Sequence, residues 1–154
     1  EQQRAHRGEQ TGHPPAGYHR CMRLDPTPHE LALRDALRAD LARLDPPVLT
    51  AMGRALERGD DRLVGGSWGV DDGDGCLLTL AAAELGYGSG EELLATSVSA
   101  VRVPALFDEL WALILERTGD AAAARSITHR LVAEALAVGQ AVAEPVAERS
   151  ALPR

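Results

Sequence analysis

The feature that most constrains the fold of this chain is a series of helix start signals separated by short loops. Thr27 is followed by Pro28, a residue favoured at the first helical position, and by Glu30, which completes a capping box. Ser89 and Glu92 repeat the capping-box spacing further along the chain. Apolar residues after each signal recur three and four positions apart, the pattern of helices that bury one face. The spacing therefore predicts a helical protein.

Six helical segments follow from these signals. The first runs from Pro28 to the Pro46-Pro47 pair, and the others cover residues 47–58, 76–85, 90–101, 104–117 and 121–143. Gly59, Gly86 and Gly119 stand after three of the segments, where a left-handed residue commonly ends a helix. The predicted fold class is all-α, a single compact bundle of about five to six helices with short loops. Residues 63–76 predict either one minimal β-hairpin or an ordered loop, because periodicity does not separate the two.

Both ends of the chain are polar and lack helical periodicity. Residues 1–26 are rich in glycine, proline and histidine and have no signal-peptide core, so we expect them to be disordered. Met22, just before the first helix, is a candidate translation start. We expect a helical domain at residues 27–143 and a frayed tail at residues 144–154. No apolar run approaches the roughly 18 residues of a membrane helix, so a cytoplasmic protein with no membrane partner is predicted.

Composition limits the partners of the chain. It has 154 residues and a formal net charge of −7, and every cationic side chain is an arginine. The absence of lysine indicates a bacterial, GC-rich coding bias and does not by itself indicate phosphate recognition. Residues 63–154 carry the whole net charge, with 6 Arg against 13 Asp and Glu, which disfavours a nucleic-acid partner. Two cysteines are too few for a disulfide scaffold.

Residues 79–98 have the outline of a helix-turn-helix. Gly86 lies in the turn, with Leu85 and Tyr87 as the inward-facing residues of the pattern. The second helix, within residues 90–97, has two acids and no arginine, whereas helices that read the major groove carry cations and amides. Ordinary packing is therefore the expected role of this pair, and a DNA-binding regulator is the third interpretation of function.

Cys76 is the residue whose position most suggests chemistry. It stands at the predicted N-terminus of a helix, where unpaired N–H groups and the helix dipole lower a thiol pKa. His129 is the candidate base, if the fold brings it close. The neighbouring aspartates favour the neutral thiol, and a lone cysteine beside an apolar run is typically a packing residue. We predict a core position for Cys76, with a thiol-dependent enzyme or redox sensor as the alternative interpretation.

Clustered carboxylates at Asp71, Asp72 and Asp74 are the groups that Ca²⁺ or Mg²⁺ prefers. Their spacing fails the calcium-loop test of an EF-hand, because Ala83 stands where that loop has its glutamate. Acids before a helix also have an ordinary charge–dipole role. We therefore expect no metal and no cofactor at this turn.

Two apolar features favour binding. Trp68 follows Gly66 in a glycine-rich segment whose spacing matches no phosphate-binding loop. Its indole is predicted either to cover the core of its own chain or to enter a pocket of a partner. Phe107 and Trp111 lie on the broad apolar face of residues 104–117, which is either enclosed by the bundle or partly left for a partner. These four residues are the predicted binding residues.

The preferred interpretation of function is a small helical protein that acts by binding. It would be a regulatory or accessory module for a protein partner or for a second copy of itself. An enzyme is disfavoured, because no catalytic pattern outweighs its ordinary structural explanation.

Overall fold

The computed structural model describes residues 25–66 and 74–149, of which residues 140–149 are given as helix backbone only. Within these ranges the chain forms six α-helices, two short 3₁₀ turns and no β-strand. The helices are α1 (Pro28–Leu41), α2 (Pro46–Arg58), α3 (Leu77–Leu85), α4 (Gly90–Thr96), α5 (Val103–Thr118) and α6 (Ala121–Arg149). The 3₁₀ turns are Asp60–Arg62 and Val98–Ala100. The predicted all-α bundle is confirmed, whereas the predicted disorder before residue 25 lies outside the described residues.

The two predicted capping boxes determine where α1 and α4 begin. The Thr27 hydroxyl accepts a hydrogen bond from the Glu30 backbone N–H at 3.1 Å. The Ser89 hydroxyl accepts one from the Glu92 backbone N–H, also at 3.1 Å. Both bonds satisfy amide groups that the first turn of a helix leaves without an intrahelical partner.

Glycines end three of the helices, in two different ways. Gly86 after α3 and Gly119 after α5 have φ of 81° and 66°, in the left-handed region that favours glycine. Gly59 after α2 does not adopt the predicted left-handed conformation. Its φ of 167° is extended, because the chain passes directly from α2 into the first 3₁₀ turn.

Three helices end well away from their predicted positions, and α1 is one of them, because it ends at Leu41, before the Pro46-Pro47 pair. α4 ends early, at Thr96, because the buried Ser97 side chain leaves the helical path and donates a hydrogen bond to Asp45 Oδ2 at 3.0 Å. α6 continues past its predicted end at residue 143 to Arg149, although Pro145 has no N–H for an intrahelical hydrogen bond. The tertiary contact of Ser97 therefore shortens α4.

Residues 63–76 form no β-hairpin in the part of the chain that the structure describes. Leu63 and Gly75 make one isolated parallel bridge, whereas a hairpin pairs its strands antiparallel. The Val64 N–H donates to the Gly75 carbonyl at 3.1 Å, and the Gly75 N–H donates to the Arg62 carbonyl at 3.0 Å. The hydrogen-bonded base of this segment therefore matches the ordered-loop alternative.

The helices share one continuous apolar core. α1 packs against α5 and α6, α2 against α3 and α6, and α3 against α4. The large apolar side chains that are fully buried are aliphatic apart from Phe107. They are Leu37, Leu41, Met52, Leu63, Leu77, Leu78, Leu93, Phe107, Leu110, Ile114 and Leu131. Small residues let the helices approach closely, since a Cβ added at Gly53 of α2 would lie 2.7 Å from Leu136 Cδ1 of α6.

Glu30 of α1 is a charged residue inside the bundle, with 1% of its surface exposed. Arg117 of α5 binds its carboxylate twice, from Nε to Oε2 at 2.7 Å and from Nη2 to Oε1 at 2.9 Å. Arg34, one turn along α1, pairs with the same carboxylate. Bidentate, charge-assisted contacts of this kind are strong and directional, so this Glu30 cluster fixes α1 against α5.

The pKa of Glu30 reflects two opposing effects. Burial alone would raise the pKa, but the hydrogen bonds from Arg117 and Arg34 outweigh burial and lower the pKa below its ordinary value. A carboxyl whose pKa is lower in the folded than in the unfolded state stabilises the fold above its unfolded pKa. That stabilisation is lost as the pH falls through the folded pKa.

Glu30→Gln is expected to lower the free energy of unfolding at pH 7 by roughly 3 kcal/mol, because the half-buried guanidinium groups of Arg34 and Arg117 lose their counter-charge. The difference from the unsubstituted chain is expected to shrink as the pH falls below the pKa of an unfolded glutamate and through the lowered pKa of Glu30 in the fold. Urea unfolding at several pH values measures both effects. The control is Glu109→Gln, at a half-exposed ion pair with His29, which is expected to change stability by less than about 1 kcal/mol. Equal losses in the two variants would contradict the prediction.

Candidate functional site

The segment that leads toward Trp68 is held against α5 and α6. Arg125 Nε of α6 donates to the Leu63 carbonyl at 3.2 Å. The Gly66 N–H donates to Asp108 Oδ1 of α5 at 2.8 Å. Trp68 itself lies outside the described residues, so its binding role stays a prediction.

Gly65 and Gly66 each require a glycine, but for different reasons. A Cβ at Gly65 would overlap the indole of Trp111, so only a glycine lets the backbone lie this close to the ring. Gly66 is exposed, with φ of 73° in the left-handed region. Its N–H is already bonded to a carboxylate, which argues against an anion-binding role for this predicted binding residue.

Phe107 and Trp111 belong to the core. Only 1% of Phe107 and 6% of Trp111 is exposed, and their rings form a tilted pair with centroids 5.5 Å apart. Of the two alternatives for the apolar face of α5, the structure shows the enclosed one. These two residues therefore present no free surface to a partner.

Cys76 and His129 occupy different environments. Cys76 is the N-cap residue of α3, is 2% exposed, and has its Sγ atom 3.6 Å from the Thr79 hydroxyl. His129 lies on an exposed position of α6. An enclosed thiol has no open route to a substrate, and the structure does not assemble the two residues into a nucleophile and base.

The acidic turn is described only in part. Asp74 is half-buried, and Asp71 and Asp72 lie outside the described residues. Among the residues that the structure does describe, no group of three His, Cys, Asp or Glu side chains is placed to hold a metal ion.

The predicted helix-turn-helix corresponds to α3 and α4, which pack tightly through Thr79. A Cβ added at Gly90 would lie 3.1 Å from the Thr79 backbone nitrogen. Glu91 and Glu92 are exposed on α4, and Glu92 Oε2 accepts the Gly88 N–H at 2.7 Å. The outer surface of the second helix is therefore acidic, which opposes approach to a phosphate backbone.

Two grooves flank the start of α2, and the sequence interpretation did not anticipate them. The first, of about 310 Å³, lies between the α1–α2 connection and α6 and is lined by Ala42, Leu44, Pro46, Leu49, Thr50, Leu136 and Gly139. The second, of about 370 Å³, lies between α2 and α3 and is lined by Pro46, Pro47, Thr50, Ala51, Arg54, Glu84 and Leu85. Pro46 and Thr50 line both grooves. We call the two grooves together the α2 grooves.

The α2 grooves have apolar walls and a polar edge on one side only. The lining of the first groove contains no charged residue. The second has Arg54 and Glu84 at its wall, and Glu84 is paired with Arg58. Leu85, which is 39% exposed, adds apolar surface beside them. In the sequence only the Pro46-Pro47 pair marks this site, and that pair predicts a helix boundary.

Comparison with known proteins gives no relative. The chain matches no known protein family, and no curated protein and no solved structure is significantly similar to it. Among the described residues, no helix is both long and apolar enough to cross a membrane.

Gly65→Ala is expected to lower the free energy of unfolding by about 2 kcal/mol, because the added methyl group overlaps the Trp111 indole. Thermal unfolding measured by circular dichroism tests this expectation. Gly139→Ala is the matched control, since a Cβ there meets nothing within 4 Å and alanine favours a helix by up to about 1 kcal/mol. A Gly65→Ala variant as stable as the unsubstituted chain would contradict the close contact.

Cys76 is expected to react with iodoacetamide at least about 100-fold more slowly in the native chain than in the urea-unfolded chain, because it becomes accessible only on unfolding. A Cys21→Ser background isolates the signal of Cys76, and mass spectrometry measures the rate of labelling. Similar rates in native and unfolded protein would show an accessible thiol and would favour the thiol-enzyme interpretation.

Proposed function

We propose that this chain is a protein-interaction module and that the α2 grooves take up an apolar segment of a protein partner. One observation carries the proposal: two adjacent grooves, of about 310 and 370 Å³, meet along a wall shared by Pro46 and Thr50. Sites that receive apolar side chains are concave and mostly apolar, with few polar groups. An amphipathic helix laid across such grooves buries its apolar side chains in both.

The chemistry of the grooves defines the partner. The uncharged first groove suits aliphatic side chains, which gain free energy when they leave water. Arg54, at the wall of the second groove, suits an acidic residue at the edge of the same segment. The partner segment is therefore aliphatic on one face and acidic at its rim.

Other parts of the structure support binding over the alternative functions. The burial of Cys76 disfavours thiol catalysis, and the exposed Glu91 and Glu92 on α4 disfavour DNA binding. A buried free thiol is compatible with the reducing cytoplasm. We assign the module a regulatory or accessory role in that compartment.

Thr50→Arg is expected to weaken partner binding by about tenfold or more, because the guanidinium would have to be buried in an apolar groove. A photocrosslinking amino acid at position 50 first captures and identifies the partner in cells. The identified protein is then purified and titrated calorimetrically against the unsubstituted chain and the variant. The matched control is Ala112→Arg at an exposed position of α5, which is expected to leave Kd unchanged.

Two results would contradict the proposal. One is the absence of any protein crosslinked from position 50, or equal crosslinking from position 112. The other is the same Kd for the Thr50→Arg and Ala112→Arg variants.

A further inference from the structure

We propose that the partner segment continues along α2 beyond the second α2 groove and places a carboxylate on Arg58. The inference rests on the proposed function, because it names a further contact of the same segment. It adds an acidic contact at a defined distance from the aliphatic one.

A third cavity, of about 140 Å³, lies where the end of α2 and the first 3₁₀ turn meet α3. It is lined by Ala55, Arg58, Gly59, Asp61, Arg62, Leu80, Ala83 and Glu84. Glu84 also lines the second α2 groove, so the groove and the third cavity are neighbours along the crevice between α2 and α3. A segment that fills the second groove and continues toward the end of α2 therefore meets the third cavity next.

This part of the crevice is cationic, although the chain as a whole is acidic. Arg54 lines the second groove, and Arg58 and Arg62 line the third cavity. The three arginines follow one another at four-residue spacing, and all are exposed. Together the two linings contain three arginines against two acids, Asp61 and Glu84, a local charge of +1 in a chain of net charge −7. The crevice therefore attracts an acidic segment.

Arg58 is placed to bind a second carboxylate. Its side chain is 67% exposed, and its Nη2 atom is paired with Glu84, whose own side chain is mostly buried. This pair holds the guanidinium at the cavity. A guanidinium has five N–H donors in a planar fork, so it can bind Glu84 and a carboxylate of the partner at the same time.

The spacing along α2 sets the order of groups in the partner segment. Thr50 lines both α2 grooves, and Arg58 follows it by eight residues, which is about 12 Å of helix. A partner helix packed along α2 covers the same length in about eight residues. The segment therefore carries aliphatic residues at one end and an aspartate or glutamate about two turns away.

Position 83 tests whether the segment reaches the third cavity. Ala83 is exposed and lines this cavity, so a photocrosslinking amino acid there is expected to capture the same protein as position 50. Mass spectrometry is expected to place the two attachment points in one segment, about five to ten residues apart, with an aspartate or glutamate beside the second. Ala95, exposed on α4, is the control position and is expected not to crosslink to this protein.

Two substitutions that each remove the pair between Arg58 and Glu84 distinguish binding from a structural role. The probe is a synthetic peptide that spans both attachment points, and fluorescence anisotropy measures its Kd. Arg58→Gln is expected to weaken binding about fivefold or more, because the carboxylate of the peptide loses its counter-charge. Glu84→Gln is expected to leave Kd unchanged or to lower it, because Arg58 remains and no longer shares its charge. Circular dichroism confirms that both variants are folded.

The outcomes separate this inference from the proposed function. A protein that crosslinks from position 50 but not from position 83 supports the α2 grooves and overturns the contact at Arg58. Equal losses of affinity in Arg58→Gln and Glu84→Gln also overturn it, since the pair would then act only through the fold. Loss of every crosslink from position 50 overturns the proposed function as well.

Discussion

The position of α1 depends on one buried charge cluster, Glu30 held by Arg117 and Arg34. A carboxylate removed from water is stable only where cationic donors replace its hydration. This contact therefore allows α1 to pack on α5 in one position only. The opposite end of α1 leads into Ala42 and Leu44, which form a wall of the first α2 groove. The shape of the proposed binding site therefore depends on an ion cluster at the far end of the same helix.

Close packing in this bundle relies on small residues rather than on large aromatic ones. Gly65 lies directly on the Trp111 ring, and Gly90 lies against the backbone of Thr79. At each place a methyl group would meet atoms that have little room to move. Such contacts leave the interior full, which is why the open space available to a ligand lies in surface grooves at helix junctions.

The charge distribution and the grooves favour the same kind of partner. The net charge of −7 and the exposed acids of α4 disfavour polyanions, whereas the walls of the first groove are uncharged. An apolar groove with arginines near its edge selects a segment that is aliphatic and acidic.

The helices could be predicted from local sequence, because capping boxes such as Thr27–Glu30 and helical periodicity act within one or two turns of chain. The broad apolar face of α5 is also visible in the sequence, but the enclosure of Phe107 and Trp111 by neighbouring helices follows from how the bundle packs. The α2 grooves could not be predicted from the sequence, because Leu44 and Leu136 line the same groove although they lie far apart in the chain. Local chemistry specifies an element, whereas a concave surface exists only once distant elements have packed.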